Sequence, residues 1–240
     1  MAGTGTLVYV GDSYYILTAA HVWEEVLKSA VKLGITLTEN RDHQNLTEVY
    51  AFVPAIFKPE DSRWNEWGPD LAMLRIPPMR VGGIMASQVF EYLNAPPKHL
   101  NVDCLECWVA MGTPKELGIF TQNHAEVQIS GRFVDVKYHH RGEYDYYDFQ
   151  MDTTSPDMPK SFGGFSGGGL WRVMVYCSRE TGEIDWARRL KGVTFYEFPI
   201  ENGYRVLRSH GPESITTVAG MAMPDAKSIS ETRGGAERSS

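Results

Sequence analysis

The sequence has few cysteines and no long apolar run. Its 240 residues include three cysteines, an odd number that suits reduced thiols better than a disulfide framework. No segment approaches the roughly 18 apolar residues that a membrane helix requires. The residues after Met1 also lack the basic and apolar regions of a secretory signal. We therefore expect a cytoplasmic protein with no membrane partner.

Two of the cysteines, Cys104 and Cys107, have the spacing of half a metal or redox site. The chain has no second cysteine pair with which to complete the usual four-ligand zinc site. We therefore expect structural thiols and no metal.

The sequence also lacks a block of positive charge. Its 23 Lys and Arg residues are outnumbered by 30 Asp and Glu residues, which gives a formal net charge of −7. Nonspecific binding of nucleic acid depends on clustered cations, so we exclude nucleic acid as the main partner.

The chain contains 42% hydrophobic and 12% aromatic residues. This content is enough for a full core in one compact domain or in two closely packed domains.

Short runs of β-branched and aromatic residues, separated by Gly, Asn, Asp and Pro, predict an all-β fold. The first two runs, 6–10 and 14–18, flank Gly11 and predict a β-hairpin. Residues 22–33 instead repeat apolar side chains at helical spacing, which predicts one helix. A later short apolar run at 83–86 is expected to form a strand.

Two adjacent prolines, Pro96 and Pro97, mark the predicted domain boundary, since they continue neither a strand nor a helix easily. We predict an N-terminal domain over residues 1–95 and a C-terminal domain over residues 96–224. The polar tail 225–240 is rich in Gly and Ser, and we expect it to be disordered.

Three segments carry residues of the types that nucleophilic catalysis requires. His21 follows an apolar strand and two alanines, Asp70 directly precedes an apolar strand, and Ser166 lies in a loop with five glycines. A catalytic serine needs a base, a carboxylate that orients the base, and N–H groups that face the developing oxyanion. Glycine suits such a loop because it permits positive φ angles and close approach of a substrate. We predict that the N–H groups of Gly164 and Ser166 form the oxyanion hole.

Each segment also has a simpler explanation when it is taken alone. A histidine after two alanines is usually a satisfied residue at a strand end or helix start, and Asp70 could cap an element. Glycine-rich turns that contain a serine are common. The combination is more specific, because the order His, Asp, Ser on an all-β background is one known arrangement of a catalytic triad.

These segments, 18–21, 70–74 and 164–168, resemble the motifs of trypsin/chymotrypsin-like serine peptidases, in particular bacterial members without disulfides. The resemblance runs from Gly3 to about Leu207. It implies two packed, six-stranded antiparallel β-barrels, with a helix after the histidine and the active site in the cleft between the barrels.

The resemblance also implies an activity, that of a serine endopeptidase acting on protein or peptide substrates through an acyl-enzyme intermediate. The first barrel would supply His21 as general base and then acid, together with Asp70, which orients it. The second barrel would supply Ser166 and the oxyanion hole. No cofactor or metal is implied.

By the same resemblance, a substrate peptide would lie as an added strand along β-strand residues that follow Val193. The residues implied in substrate binding are Lys160, Ser161, Phe162, Thr194, Phe195, Tyr196 and Glu197. Lys160 lies at the expected base of the pocket, where relatives that cleave after Arg or Lys have an acid, so we expect no trypsin-like preference. The alternative is that Lys160 is a solvated surface residue.

Phe165 departs from the pattern of zymogen-activated relatives. Those relatives have an aspartate before the serine, and it pairs with a newly cut N-terminal amine. An apolar ring offers no partner for an ammonium group, so we expect the packing of Phe165 to order the loop.

Two further functions stay open at the level of the sequence. The same fold could be a catalytically idle peptide-binding module. It could also be a latent intracellular protease that is activated by a partner protein.

Overall fold

The computed structural model describes residues 3–28, 33–36, 43–46, 50–52, 67–86, 88–93, 104–117, 119–120, 125–126, 129–155, 158–177 and 181–222. Strands dominate this part of the chain and are divided between two main sheets, so the predicted all-β fold with two strand-rich halves is confirmed. None of the described helices is long and apolar enough to cross a membrane.

The described residues form sixteen strands, three α-helices and one short 3-10 helix. The strands are β1 (Thr6–Val10), β2 (Ser13–Thr18), β3 (Leu33–Thr36), β4 (His43–Leu46), β5 (Tyr50–Phe52), β6 (Ala72–Arg75), β7 (Glu91–Tyr92), β8 (Cys104–Gly112), β9 (Ile119–Phe120), β10 (Ala125–Glu126), β11 (Ser130–Val134), β12 (Val136–Arg141), β13 (Tyr144–Asp152), β14 (Gly169–Cys177), β15 (Ile184–Glu201) and β16 (Tyr204–His210). The helices are α1 (Ala20–Lys28), α2 (Pro78–Met85), α3 (Pro212–Ala222) and the 3-10 helix Lys115–Leu117.

The first sheet has the strand order β5–β6–β2–β1–β7, and β3 and β4 form a separate ribbon. β1 and β2 form the predicted hairpin, with Val10 paired to Ser13 across a two-residue turn. The turn begins at Gly11, whose φ of 55° is the positive angle that such tight hairpin turns require. β2 then pairs with β6, and this pairing positions the functional site described below.

The second sheet is antiparallel and has the order β11–β8–β14–β15–β16–β13–β12, while β9 and β10 form another ribbon. Its longest strand, β15, pairs with β14 up to Val193 and continues along β16 to Glu201. β12 and β13 form a hairpin around Gly142, and His139 and His140 lie in β12.

A shared apolar core joins the two halves. Val8, Leu17 and Met73 from the first sheet pack in one cluster with Trp171 and Val193 from the second sheet and with the apolar face of α3. Burial of each large apolar side chain contributes about 1.5 to 3 kcal/mol to folding. The two sheets are therefore held together by a continuous core and not only by polar contacts at their surfaces.

Two predictions about helices are wrong. α1 begins at Ala20 and ends at Lys28, and Leu33 lies in β3, so the helix does not extend over 22–33 as predicted. The segment 83–86, expected to form a strand, is instead the end of α2, which ends at Met85 with Ala86 as its C-cap and starts with a proline in its first turn. A short apolar run fits either type of element, so its pattern alone could not distinguish them.

The first sheet ends at Tyr92, and the second begins at Cys104. The predicted boundary between domains 1–95 and 96–224 lies outside the described residues, and this division stays a prediction. The tail 225–240, predicted to be disordered, also lies outside them.

A buried carboxylate fixes the start of α3. Asp145, on β13, accepts hydrogen bonds from the N–H groups of Glu213 and Ser214 at 3.2 and 2.8 Å and from the Ser214 hydroxyl at 2.8 Å. Its main-chain carbonyl accepts the Gly211 N–H at 2.7 Å. These bonds satisfy N–H groups that the first turn of a helix leaves without a partner.

We expect Asp145→Ala to lower the free energy of unfolding by about 2 to 3 kcal/mol, because it leaves buried N–H groups at the helix start without acceptors. Asp145→Asn is the matched control and should lose less, since it keeps one oxygen acceptor. Urea denaturation followed by circular dichroism measures both variants. An unchanged midpoint for Asp145→Ala would show that α3 does not depend on this cap.

Candidate active site

The register of β2 against β6 brings His21 and Asp70 together. Thr18, the last residue of β2, pairs with Ala72, the first residue of β6. Because the two strands are antiparallel, the chain leaves β2 at the edge where it enters β6. His21 lies three residues beyond this pair and Asp70 lies two residues before it, so the two side chains become neighbours.

Asp70 binds His21 through both of its carboxylate oxygens. Oδ1 accepts the His21 backbone N–H at 2.9 Å, and Oδ2 lies 2.5 Å from the ring atom Nδ1. Because an ionised carboxylate only accepts hydrogen bonds, Nδ1 carries the proton and Nε2 of the neutral ring carries a lone pair. The Asp70 side chain is 8% exposed, whereas the His21 side chain is 44% exposed and stays accessible.

The surroundings of His21 raise its pKa above the usual histidine value. Partial burial of the ring is the largest single influence, and on its own it lowers the pKa. The hydrogen bond to Asp70, the charge of Asp70 and the charges of Glu24 and Glu25 act in the opposite direction and together outweigh burial. The ring therefore takes up a proton at a higher pH than a free histidine does.

Two glycines shape the loop that carries Ser166. Gly164 has a φ of 98° and Gly167 a φ of 87°, which are angles that L side chains rarely adopt. A Cβ atom at Gly167 would also collide with the Thr4 carbonyl oxygen and the Thr18 hydroxyl. Glycine at this position therefore lets the loop pack against the end of β2 that leads to the histidine.

Thr4 ties this loop to the first half of the chain. Its N–H donates to the Ser166 carbonyl at 3.2 Å, and its hydroxyl donates to the Gly164 carbonyl at 2.6 Å. Its own carbonyl accepts the Thr18 hydroxyl at 2.8 Å, and its hydroxyl oxygen accepts the Thr113 N–H at 3.0 Å. One residue thus connects the Ser166 loop, β2 and the segment after β8.

Lys115 fixes the orientation of the peptide bond between Gly163 and Gly164. Its N–H donates to the Gly163 carbonyl at 2.7 Å. In a trans peptide the N–H and C=O groups point in opposite directions, so the Gly164 N–H points away from Lys115. Within the described part of the chain, the N–H groups of Gly164 and Ser166 have no acceptor. Among the described residues, no acceptor competes with a ligand for either group.

The Ser166 loop contacts Thr4 and Thr18, and within the described residues Ser166 makes no hydrogen bond to His21 or Asp70. All three residues are described, and no bond joins the Ser166 hydroxyl to the His21 ring. In unliganded active sites the bond between a hydroxyl and its base is often long or misaligned, and it tightens when a substrate binds. Of the three predicted residues, His21 and Asp70 are thus bonded, and Ser166 is on the adjacent loop.

Phe165 anchors the Ser166 loop in the core of the second half. Its side chain is 1% exposed and meets the Phe162 ring edge to face, with centroids 5.5 Å apart. Leu170 and Leu207 belong to the same buried cluster. A Cβ atom at residue 112 would collide with the Phe165 ring, so Gly112 provides its space. The expectation that Phe165 packs in the core is confirmed.

The strand expected to bind substrate is part of β15 and lies directly beside this loop. The Thr194 N–H donates to the Gly168 carbonyl at 2.9 Å, and the Thr194 carbonyl accepts the Gly167 N–H at 2.7 Å. Phe195 is buried, whereas Tyr196 is partly exposed. Any contact between Phe195 and a substrate would have to come from its main chain.

Glu197 bridges this strand and the loop before the serine. Its Oε1 accepts the Phe162 N–H at 3.0 Å and lies 2.6 Å from the guanidinium of Arg205. Phe162 itself is buried in the core. The Glu197 carboxylate is therefore held between the two segments that are expected to border a substrate side chain.

Glu116 holds the other end of the same loop. Its carboxylate oxygens accept the N–H groups of Lys160 and Ser161 at 2.9 and 3.1 Å. The Lys160 side chain is exposed, as expected for a solvated surface lysine. The loop is thus fixed through its main chain, and the Lys160 side chain takes no part in that bonding.

Cys104 and Cys107 lie three residues apart on β8 and are free thiols. Side chains alternate between the two faces of a strand, so residues three apart point to opposite faces. The two sulfur atoms are therefore not arranged to bind one metal ion.

Several residues that contact the site are missing from the sequence-based prediction. They are Thr4, Lys115, Glu116, Arg205 and His210. Lys115 acts through its main-chain N–H, which most residue types could supply. Thr4 and Glu116 act through a hydroxyl and a carboxylate, but their bonding partners are more than 40 positions away in the sequence, so no local pattern marks them. His210 accepts a backbone N–H of the site on its ring, but it is 140 residues away in sequence from that group.

Comparison with known proteins supports the resemblance seen in the motifs. Comparison with curated protein sequences finds no match. The family model described as Trypsin matches residues 3–175, a span that starts before β1 and ends within β14. This span includes His21, Asp70 and Ser166 and covers more than half of the sequence. The chain therefore belongs to the trypsin family, whose double β-barrel fold agrees with the strand-rich halves of the structure.

Proposed function

We propose that this chain is a serine endopeptidase that cleaves protein or peptide substrates through His21, Asp70 and Ser166. The observation that carries the proposal is the pair of hydrogen bonds from His21 to the buried Asp70 carboxylate. This pair orients the imidazole with its Nε2 lone pair free for a proton. The proposed chemistry needs no metal or cofactor.

In the first step, Ser166 Oγ attacks the carbonyl carbon of the scissile bond while His21 Nε2 takes the hydroxyl proton. The resulting tetrahedral oxyanion accepts hydrogen bonds from the N–H groups of Gly164 and Ser166. When the C–N bond breaks, His21 returns the proton to the leaving amine. Water then attacks the acyl-enzyme ester by the same route, which releases the acid and restores the Ser166 hydroxyl.

The position of β15 supports a peptide as the substrate. Beyond Val193 this strand extends past its partner β14, where Thr194 bonds to the Ser166 loop and Glu197 accepts the Phe162 N–H. An extended peptide can add to such a strand through main-chain hydrogen bonds, which favour binding without dependence on sequence. Activation by a partner protein and a cytoplasmic location stay predictions from the sequence.

A catalytically idle peptide-binding module is the second candidate function. It is favoured by one observation, namely that the Ser166 hydroxyl and the His21 ring share no hydrogen bond although both residues are described. A fluorophosphonate probe separates the two candidates, because it reacts with an activated serine and not with an idle one.

Ser166→Ala should abolish labelling by a fluorophosphonate and lower kcat by on the order of 10⁶-fold, while the fold is kept. His21→Ala should be nearly as damaging, and the double variant little worse, because the residues act as one unit. Ser13→Ala, a serine at the far end of β2, is the matched control and should label like the parent. Gel fluorescence and peptide cleavage read by mass spectrometry measure these effects. Peptide binding without labelling of the parent chain would favour the idle module.

The kcat/KM of the enzyme should fall as the pH is lowered, because a protonated His21 cannot accept the serine proton. Since Asp70 and the nearby acids raise the pKa of His21, the midpoint should lie above the ordinary value of 6.5. Asp70→Asn should move the midpoint down and lower kcat by roughly 10⁴-fold. Glu24→Gln, which removes only a weaker charge effect, should leave kcat nearly unchanged. A pH profile that is flat between about 5 and 8 would exclude a histidine base.

Phe165→Asp should strongly reduce fluorophosphonate labelling, because an unpaired carboxylate buried in the core costs several kcal/mol and disrupts the Ser166 loop. Phe165→Leu is the matched control, since it keeps an apolar side chain, and it should retain most of the labelling. Labelling rates and thermal denaturation are measured together. Parent-like labelling of Phe165→Asp would show that the loop does not depend on this anchor.

A further inference from the structure

His210 is a fully buried histidine for which the proposed reaction has no use. It ends β16, and its Nε2 accepts the backbone N–H of Asp70 at 3.0 Å. Both residues are buried, so water has little access to this bond. A buried donor that loses its acceptor is either left unsatisfied or turns toward another partner. The bond therefore constrains the direction of the Asp70 backbone.

Three aromatic rings and one glycine form the pocket around His210. Its ring stacks on Phe195, with centroids 4.2 Å apart and an interplanar angle of 18°, and lies 5.2 and 6.1 Å from the rings of Tyr146 and Tyr144. A Cβ atom at Gly68 would lie 2.7 Å from Nε2. Glycine at that position therefore lets the backbone of the following residues reach the ring.

Burial of an imidazole in this aromatic pocket costs free energy unless the ring accepts a hydrogen bond. Because Nε2 accepts the Asp70 N–H, the proton of the neutral ring is on Nδ1. Among the described residues, His210 Nδ1 is buried and has no partner. Buried polar groups of this kind are rare, and a phenylalanine would fill an aromatic pocket without one. A histidine at position 210 is therefore better explained by its ability to accept a hydrogen bond than by its packing.

The groups around His210 keep its ring neutral. Complete burial, the largest influence, lowers the pKa of His210 to about 3. The charge of Asp70 acts to raise it, and the charge of Arg208 acts to lower it. Tyr144 and Tyr146 are the titratable side chains whose rings face it. Nε2 therefore keeps its lone pair throughout the pH range in which His21 can act as a base.

We infer that His210 is a positioning residue, which holds the backbone of Asp70 so that the carboxylate meets both N–H groups of His21. The inference rests on the proposed function, since it assigns a role in the same reaction. His210 acts through Asp70, and through Asp70 on the orientation of the His21 ring. This role is distinct from that of a residue that contacts the substrate.

Two substitutions distinguish a role of His210 as a hydrogen-bond acceptor from a role in packing. His210→Phe keeps an aromatic ring for the stack on Phe195 but removes the acceptor. His210→Gln loses the ring but keeps an amide oxygen that can reach the position of Nε2. A packing role predicts that the Phe variant resembles the parent and the Gln variant is impaired, whereas a positioning role predicts the opposite order.

We expect His210→Phe to lower kcat by roughly 10- to 100-fold with little change in KM, because a small misplacement of a catalytic group has effects of this size. The acid limb of its pH profile should move to lower pH, because His21 loses part of its bond to Asp70. His210→Gln should recover most of kcat and the parent pH profile. A Phe variant with parent kcat, or a Gln variant as impaired as the Phe variant, would overturn the inference.

Nuclear magnetic resonance tests the same inference without turnover. In the parent protein, the ¹H–¹⁵N spectrum of the His210 ring should show the Nδ1–H tautomer at neutral pH, even if the variants do not fold. The downfield proton between His21 Nδ1 and Asp70 should weaken or shift in His210→Phe and persist in His210→Gln. An Nε2–H tautomer, or an unchanged downfield proton in His210→Phe, would overturn the inference. Failure of the parent to react with a fluorophosphonate would instead contradict the proposed function.

Discussion

The two hydrogen bonds of the Asp70 carboxylate to His21 are the contact on which the candidate site depends. They exist because β2 and β6 pair with Thr18 opposite Ala72. A slip of this register by one residue would turn the side chains of one strand to the opposite face of the sheet and separate the pair. The buried residues of β2 and β6 oppose such a slip, since it would exchange the side chains that pack in the two different apolar clusters on either face of the sheet. The core of the first sheet therefore determines the geometry of the His21 and Asp70 pair.

The Ser166 loop, in contrast, is supported by both halves of the molecule. Phe165 packs into the core of the second half, while Thr4 and the end of β2 hold the loop from the first half. Neither half alone contains all of these contacts, and the shared core with Trp171 and Val193 keeps the halves in register. The site is thus a product of the complete fold, although its key residues lie in short local motifs.

This arrangement explains which parts of the molecule could be predicted from the sequence. The candidate residues His21, Asp70 and Ser166 can be selected from the sequence because each lies in a short local pattern, namely two alanines before His21, an apolar strand directly after Asp70 and glycines around Ser166. His210 cannot, because its relation to Asp70 depends on how β16 lies against β6, which no local pattern encodes. The end of α1 was misplaced because apolar residues serve equally in a helix and in the strand that follows. Residues marked by a local pattern are therefore accessible to prediction from the sequence, whereas contacts created by strand register are not.

The pH dependence of the pair places a further demand on the structure. The pKa of His21 is higher in the folded state than in the unfolded state, where it lies near 6.5. Below the unfolded pKa, the bond between protonated His21 and Asp70 therefore stabilises the fold. This stabilisation is lost as the pH rises through the folded-state pKa. The contribution is small, because the side chain is partly exposed and solvent screens the charges. A base must work above that pKa, where the ring is neutral and the ionic attraction has gone. When the His21 ring is neutral, the orientation of Asp70 then depends on neutral contacts, among which the bond to His210 is insensitive to pH in this range. Under the proposed function, the neutral acceptor behind the Asp70 carboxylate therefore matters most at the pH where His21 would act as a base.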